Sequence, residues 1–136
     1  MNIYYTVGSA MKTRYITIDL EIRSHKPFSS LATFLKQQDT YCEVYPPNEH
    51  DPYWTINFSF EPLDNPNYCI EQHCQWLKSM PNDAKQEWDE IEHKCVNIGY
   101  ETCSEPWAFT ELLSPSIIKQ LAEFNLGLGL TLYPVN

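Results

Sequence analysis

The sequence is short of positive charge, of glycine and of long apolar runs. Nine lysines and arginines stand against eighteen aspartates and glutamates, a formal charge of −9. So acidic a chain repels a phosphate backbone, so no nucleic-acid partner is expected, and a basic macromolecule is the electrostatically natural one. Of only four glycines, two sit in the LGLGL stretch near the C-terminus. No GxGxxG accompanies them and no helix pattern follows, so a phosphate-cradling loop does not fit. No run of about 18 apolar residues is present to span a bilayer. The segment MNIYYTVGSAM lacks the basic stretch followed by an apolar one that an export signal needs. A soluble, cytoplasmic protein without membrane association is expected. Repeats of fixed period and low-complexity segments are also missing.

The five cysteines, Cys42, Cys69, Cys74, Cys95 and Cys103, form an odd set in a chain that is 43% apolar. With enough apolar residues for a core, reduced thiols are expected rather than a disulfide framework. One domain over residues 1–136 is the expectation from length. Residues 1–10 read either as an extension or, through Ile3-Tyr4-Tyr5-Thr6-Val7, as an edge strand.

Between Arg14 and Arg23, YITIDLEI alternates, with Ile16, Ile18, Leu20 and Ile22 on one side and Tyr15, Thr17, Asp19 and Glu21 on the other, the pattern of a half-buried strand. Ser29 or Ser30 is placed to cap a short helix carrying Leu31, Phe34 and Leu35. Tyr41 to Tyr45 reads as a second strand stopped by Pro46-Pro47. Trp54, Ile56, Phe58 and Phe60 give a third, expected at the centre of the sheet. Asn65-Pro66 caps and starts a helix that runs to about Met80. Another helix begins at Asn82 or Asp83, with Ala84, Trp88 and Ile91 at i, i+4, i+7 and Lys94 near its end, where the helix dipole favours a cation. Val96, Ile98 and Tyr100 alternate as a fourth strand. Ser114-Pro115 starts a helix with an Ile117, Ile118, Leu121, Ala122 stripe, ended by Asn125. The last strand sets Leu126, Leu128, Leu130 and Leu132 on one side and its glycines on the other, suggesting a bend, a close approach or an edge. The order β-α-β-β-α-α-β-α-β predicts an α+β fold: a single sheet of about five strands, antiparallel or mixed, packed with about four helices.

The stretch YCIEQHCQW puts Cys69, His73 and Cys74 close together, with His93 and Cys95 further on. Cys69 and His73, at i, i+4, have the spacing of two metal ligands on one helix face. At about 100° per residue they fall inside a roughly 160° apolar arc with Ile70, Trp76, Leu77 and Met80. Their spacing to His93 and Cys95 is that of no zinc finger. The expectation is therefore core: small buried thiols and a packed histidine, with neither metal nor cofactor. A metal site or a Cys/His nucleophile is the alternative, and Asp19 with Glu21 is a weaker paired-carboxylate candidate. His50-Asp51 reads as a polar turn.

Charge is uneven along the chain. Residues 83–111 hold Asp83, Glu87, Asp89, Glu90, Glu92, Glu101, Glu105 and Glu111 against Lys85 and Lys94 only, a local net of −6. Asp83, Glu87 and Glu90 recur at i, i+4, i+7 beside the Ala84/Trp88/Ile91 stripe, and Trp107 follows in a loop. An acidic ridge with an aromatic anchor suits docking onto a basic protein, since charge speeds encounter and tryptophan fills the packed centre. The other reading is a solvated helix face beside a core tryptophan.

LLSPSIIKQLAEFNLGLGLTLYP, Leu112 to Pro134, resembles the C-terminal helix and strand of an uncharacterised bacterial domain family of unknown function. The WTINFSF strand before a long helix fits that family's order, and the likeness brings no catalytic residues with it. In type, being small, acidic and α+β, the chain also resembles immunity proteins of bacterial toxin systems, including contact-dependent growth inhibition. That resemblance implies a non-enzymatic protein that neutralises a cognate toxin, often a basic nuclease. The surface expected to dock is the one the charge cluster marks, Asp83, Glu87, Asp89, Glu90, Glu92, Glu101, Glu105 and Trp107. A structural module is a further alternative.

Overall fold

The computed structural model describes residues 12–38, 41–60, 65–103 and 108–134. The Ile3–Val7 stretch lies outside the described residues.

Strands β1 (Arg14–Ser24), β2 (Tyr41–Tyr45), β3 (Trp54–Phe60), β4 (His93–Thr102) and β5 (Gly127–Pro134) form one sheet in the order β2-β3-β1-β4-β5. The first four pair antiparallel. β5 joins β4 in parallel, which requires the crossover that helix α4 (Pro115–Glu123) supplies. With helices α1 (Ser29–Lys36), α2 (Pro66–Lys78) and α3 (Asn82–Glu90) the architecture is α+β with a mixed five-stranded sheet and four helices, the class read from the sequence. β1 takes the central place expected for β3, because it finds a long antiparallel neighbour on each side.

The alternation of β1 sends Ile18, Leu20 and Ile22 to one face, where cross-strand register adds Ile56 and Phe58 from β3 and Val96, Ile98 and Tyr100 from β4. All four helices bury their apolar sides there: Leu31 and Leu35 of α1, Ile70 and Leu77 of α2, Ala84 and Trp88 of α3, Ile117 and Leu121 of α4. The Trp88 indole N–H donates to the Phe124 carbonyl at 3.1 Å, so the largest core ring keeps its polar atom satisfied.

Several local expectations change where tertiary contacts decide. A register shift between Tyr15 and Thr17 breaks the β1 alternation, setting Tyr15 across from Tyr100 with its hydroxyl 2.9 Å from Cys69 Sγ. Helix α3 stops at Glu90, and Lys94 lies in β4. Its buried Nζ nevertheless folds back to donate to the carbonyls of Trp88 (2.8 Å) and Ile91 (3.3 Å), so the cation still meets the helix end. Neither Ser29 nor Ser30 caps α1 with its side chain; Phe28 is the N-cap residue, and the Leu31 N–H is taken by Glu87. In α4, Ile118 and Ala122 turn outward while Ile117 and Leu121 are buried. Asn65 and Ser114 do cap their helices, accepting from Tyr68 N–H at 3.0 Å and Ile117 N–H at 3.3 Å. Asn125 ends α4 at φ 57°, and Leu126 N–H returns to the Leu121 carbonyl at 2.9 Å.

Candidate docking surfaces

The acidic ridge forms on α3 and the start and end of β4, but most of its charge is answered within the fold. Asp89 meets Lys85 Nζ at 2.6 Å, one turn away on the same helix. Glu90 meets Lys26 Nζ at 3.4 Å, Glu92 meets His25 Nδ1 at 2.9 Å, and Glu101 meets Arg14 Nε at 2.8 Å. Glu87 is turned inward: its Oε1 accepts the Leu31 N–H at 2.7 Å and closes the first turn of α1. Asp83 stands at the start of α3, where its carboxylate accepts from the Ala84 N–H at 2.8 Å and complements the helix dipole. Glu105 and Trp107 lie outside the described residues. Glu111 takes the Tyr100 hydroxyl at 3.3 Å, and burial followed by this carboxylate pushes the Tyr100 pKa up to about 12.

A second acidic surface is the face of the sheet that the helices leave open. Register sets Glu43, Asn57, Glu21 and Cys95 in one row across β2, β3, β1 and β4. The next row is Tyr41, Ser59, Asp19 and Asn97. Among the described residues, every donor to these carboxylates is neutral. Ser59 donates its hydroxyl to Asp19. Asn97 Nδ2 lies 3.4 Å from Glu21 Oε2, and Cys95 Sγ lies 3.8 Å from Glu21 Oε1. The Tyr45 hydroxyl donates to Glu43, and this bond, followed by one from Tyr41, holds the Glu43 carboxyl below the usual carboxylate range. None of the three acids forms an ion pair with a described residue. The ion pairs of this face lie at its ends, Arg14 with Glu101 at one and Arg23 with Asp51 (3.2 Å) at the other. There the Arg23 guanidinium also covers the Tyr53 ring at 4.3 Å, and His25 stacks on the same ring. Tyr41 and Tyr45, 53% and 46% exposed, rim the carboxylates.

The Cys/His cluster divides between the two sides of the sheet. Cys69, His73 and Cys74 are buried in α2 beneath the helix-covered face. Cys95 is on the open face and His93 stands across from Arg23. The sheet thus lies between the two pairs, and among the described residues no three His, Cys, Asp or Glu side chains are placed to hold a metal ion. Burial lowers the His73 pKa well below its ordinary value, favouring the neutral ring. The same cause pushes the Cys74 thiol up to about 11, away from the thiolate that nucleophilic chemistry uses. Asp19 and Glu21, adjacent on β1 with neutral partners, lie on the open face.

No protein-family model matches the chain, and neither a curated protein nor a solved structure resembles it significantly. No helix among the described residues is long and apolar enough to cross a membrane.

Proposed function

We propose that this chain is an immunity-type binding protein that neutralises a cognate bacterial toxin, a basic protein such as a nuclease, by docking on it through acidic surface. The observation that carries the reading is the group of carboxylates on the open sheet face, Asp19, Glu21 and Glu43, supplied with neutral donors and no counter-ion among the described residues. An ion-paired acid has already gained its Coulomb partner and has little left for another molecule. An acid held by a serine, asparagine or tyrosine keeps its whole charge for an approaching cation. The carboxylates are fixed on a rigid sheet, so docking orders few flexible side chains. Tyrosines beside them supply amphipathic contact area of the kind that anchors protein interfaces. The ridge residues Asp83, Asp89, Glu90, Glu92 and Glu101 extend the negative field and steer encounter, although the ion pairs of Asp89, Glu90, Glu92 and Glu101 make these four the weaker part of the contact.

Co-expression of the chain with the product of its genomic neighbour tests this. A stoichiometric complex that blocks the neighbour's toxic activity is expected, with an association rate that falls as salt rises. Absence of any complex with an adjacent toxin-like polypeptide at low and at moderate salt removes the proposal.

A further inference from the structure

The helix layer ends before the sheet does. Val96, Ile98 and Tyr100 of β4 are 0–3% exposed, whereas their register partners on β5, Leu128, Leu130 and Leu132, are 42%, 63% and 61% exposed on the same side. Between these leucines and the 109–113 stretch runs a groove of about 360 Å3, lined by Ile98, Tyr100, Phe109, Leu113, Leu130 and Leu132. Its one carboxylate, Glu111, is engaged by the Tyr100 hydroxyl. β5 is the terminal strand of the sheet among the described residues, and no described strand pairs with its outer N–H and C=O groups.

Edge strands in monomers carry devices against pairing: a lysine, a bulge, a proline within the strand. GLGLTLYP has no charged residue, its register with β4 runs without a shift, and its only proline is terminal. Charge decides what fits such an edge. A basic partner gains nothing at an uncharged strand. Two copies of a chain of charge −9 repel each other over most of their surface and can meet closely only where that charge is absent. We infer that β5 is a self-association edge, on which a second copy of this chain pairs antiparallel, β5 against β5, about a two-fold axis normal to the sheet.

The sequence alternation is self-complementary under that operation. An axis through Leu130 sets Leu128 opposite Leu132 of the second copy, on the same side. The leucine rows then run on from one copy to the next and the two apolar grooves merge. A one-residue slip would set leucine against glycine or threonine across the pleat, so the pairing is confined to registers that keep the leucines on one side. The carboxylate face of each copy stays open, because it is on the other side of the sheet from the leucines.

Sedimentation equilibrium on the full chain, from micromolar to near-millimolar concentration and without any partner protein, tests this separately from toxin binding. A species of twice 16.0 kDa is expected, persisting at high salt because the contact is apolar. Leu130→Lys is expected to weaken dimerisation by about a hundredfold while leaving the circular dichroism and unfolding midpoint of the dilute protein unchanged. On the unmutated chain, exchange of the amides in 127–133 that point away from β4 should slow as concentration rises. A 16.0 kDa species at every concentration overturns the inference. So does a dimer indifferent to Leu130→Lys, one dissolved by salt, or protection in the dilute monomer of the β5 amides that point away from β4, since the last means that another segment covers the edge.

Discussion

The Glu87 carboxylate accepts the backbone N–H of Leu31 at 2.7 Å, so a residue of α3 caps a helix 56 positions earlier in the chain. Leu31 is buried and α1 has no side-chain cap of its own. Glu87→Ala leaves that N–H without its acceptor, which costs about 1–3 kcal/mol. Glu87→Gln keeps an acceptor oxygen at the same reach and should cost less than half as much. Thermal unfolding of both variants checks the order, and equal losses would mean that the negative charge, not the hydrogen bond, matters at this position.

Cys69 is 2% exposed, with its sulfur 2.9 Å from the Tyr15 hydroxyl. Cys69→Ser places a more polar, smaller atom in an apolar pocket and is expected to destabilise the fold by about 1–2 kcal/mol. Tyr15→Phe combined with it should lose less than the sum of the two single changes, because they share one contact. Toxin binding should be unaffected by either. A chelator should leave the unfolding midpoint of the parent protein in place; a marked drop would revive the metal reading of the Cys69/His73 pair.

What was legible in the sequence is what is decided locally. Alternation from Ile18 to Ile22 in β1 and at Ile56 and Phe58 in β3, the Asn65 and Ser114 caps and the Asn125 terminator depend on neighbours within a few residues, and these appear where the pattern puts them. The helical projection also placed Cys69, His73 and Cys74 in the core, since burial of a stripe follows from its apolar width. The Glu87 cap and the reversal at Tyr15 depend on partners more than fifty positions away. Leucine alternation in β5 told which side those residues share but not that the helices stop short of it. The ridge looked uncompensated because the count stayed within residues 83–111, while Lys26, His25 and Arg14 come from the far end of the chain. On the open face, Asp19 and Glu21 are legible as outward neighbours on one strand, whereas Glu43 joins them only through strand register.

Stability should fall on both sides of neutral pH for identifiable reasons. Burial depresses the folded-state pKa of His73, so the unfolded chain takes up a proton near 6.5 before the folded one does. The stability tied to the neutral ring is therefore present above 6.5 and lost as pH falls through the lower folded value. Tyr100 has the opposite sign. Its pKa rises from 10.0 to about 12, so the unfolded chain loses its proton first. That contribution is complete below 10.0 and disappears as pH climbs through about 12. Urea unfolding across pH, with tyrosinate absorbance followed in parallel, should show both slopes. His73→Phe should flatten the acid side only and Tyr100→Phe the alkaline side only; a variant that flattens the wrong side contradicts its assignment.

The two acidic surfaces make different contributions to a basic partner, and charge reversal separates them. Glu43 and Asp19 have only neutral donors, so Glu43→Lys or Asp19→Lys removes an attraction and adds a repulsion without breaking any ion pair. Asp89→Lys and Glu90→Lys also free Lys85 or Lys26 from its pair and leave like charges side by side, so part of their effect goes into the fold itself. Against the cognate toxin, each open-face reversal is expected to slow association by about tenfold at low salt, with the difference shrinking as salt is raised. Each ridge reversal should slow it by a smaller factor. Stopped-flow association kinetics over a salt series give both numbers. Ridge reversals that slow association more than open-face reversals would return the contact to α3, because a surface whose charges are already paired would then be the one the partner senses.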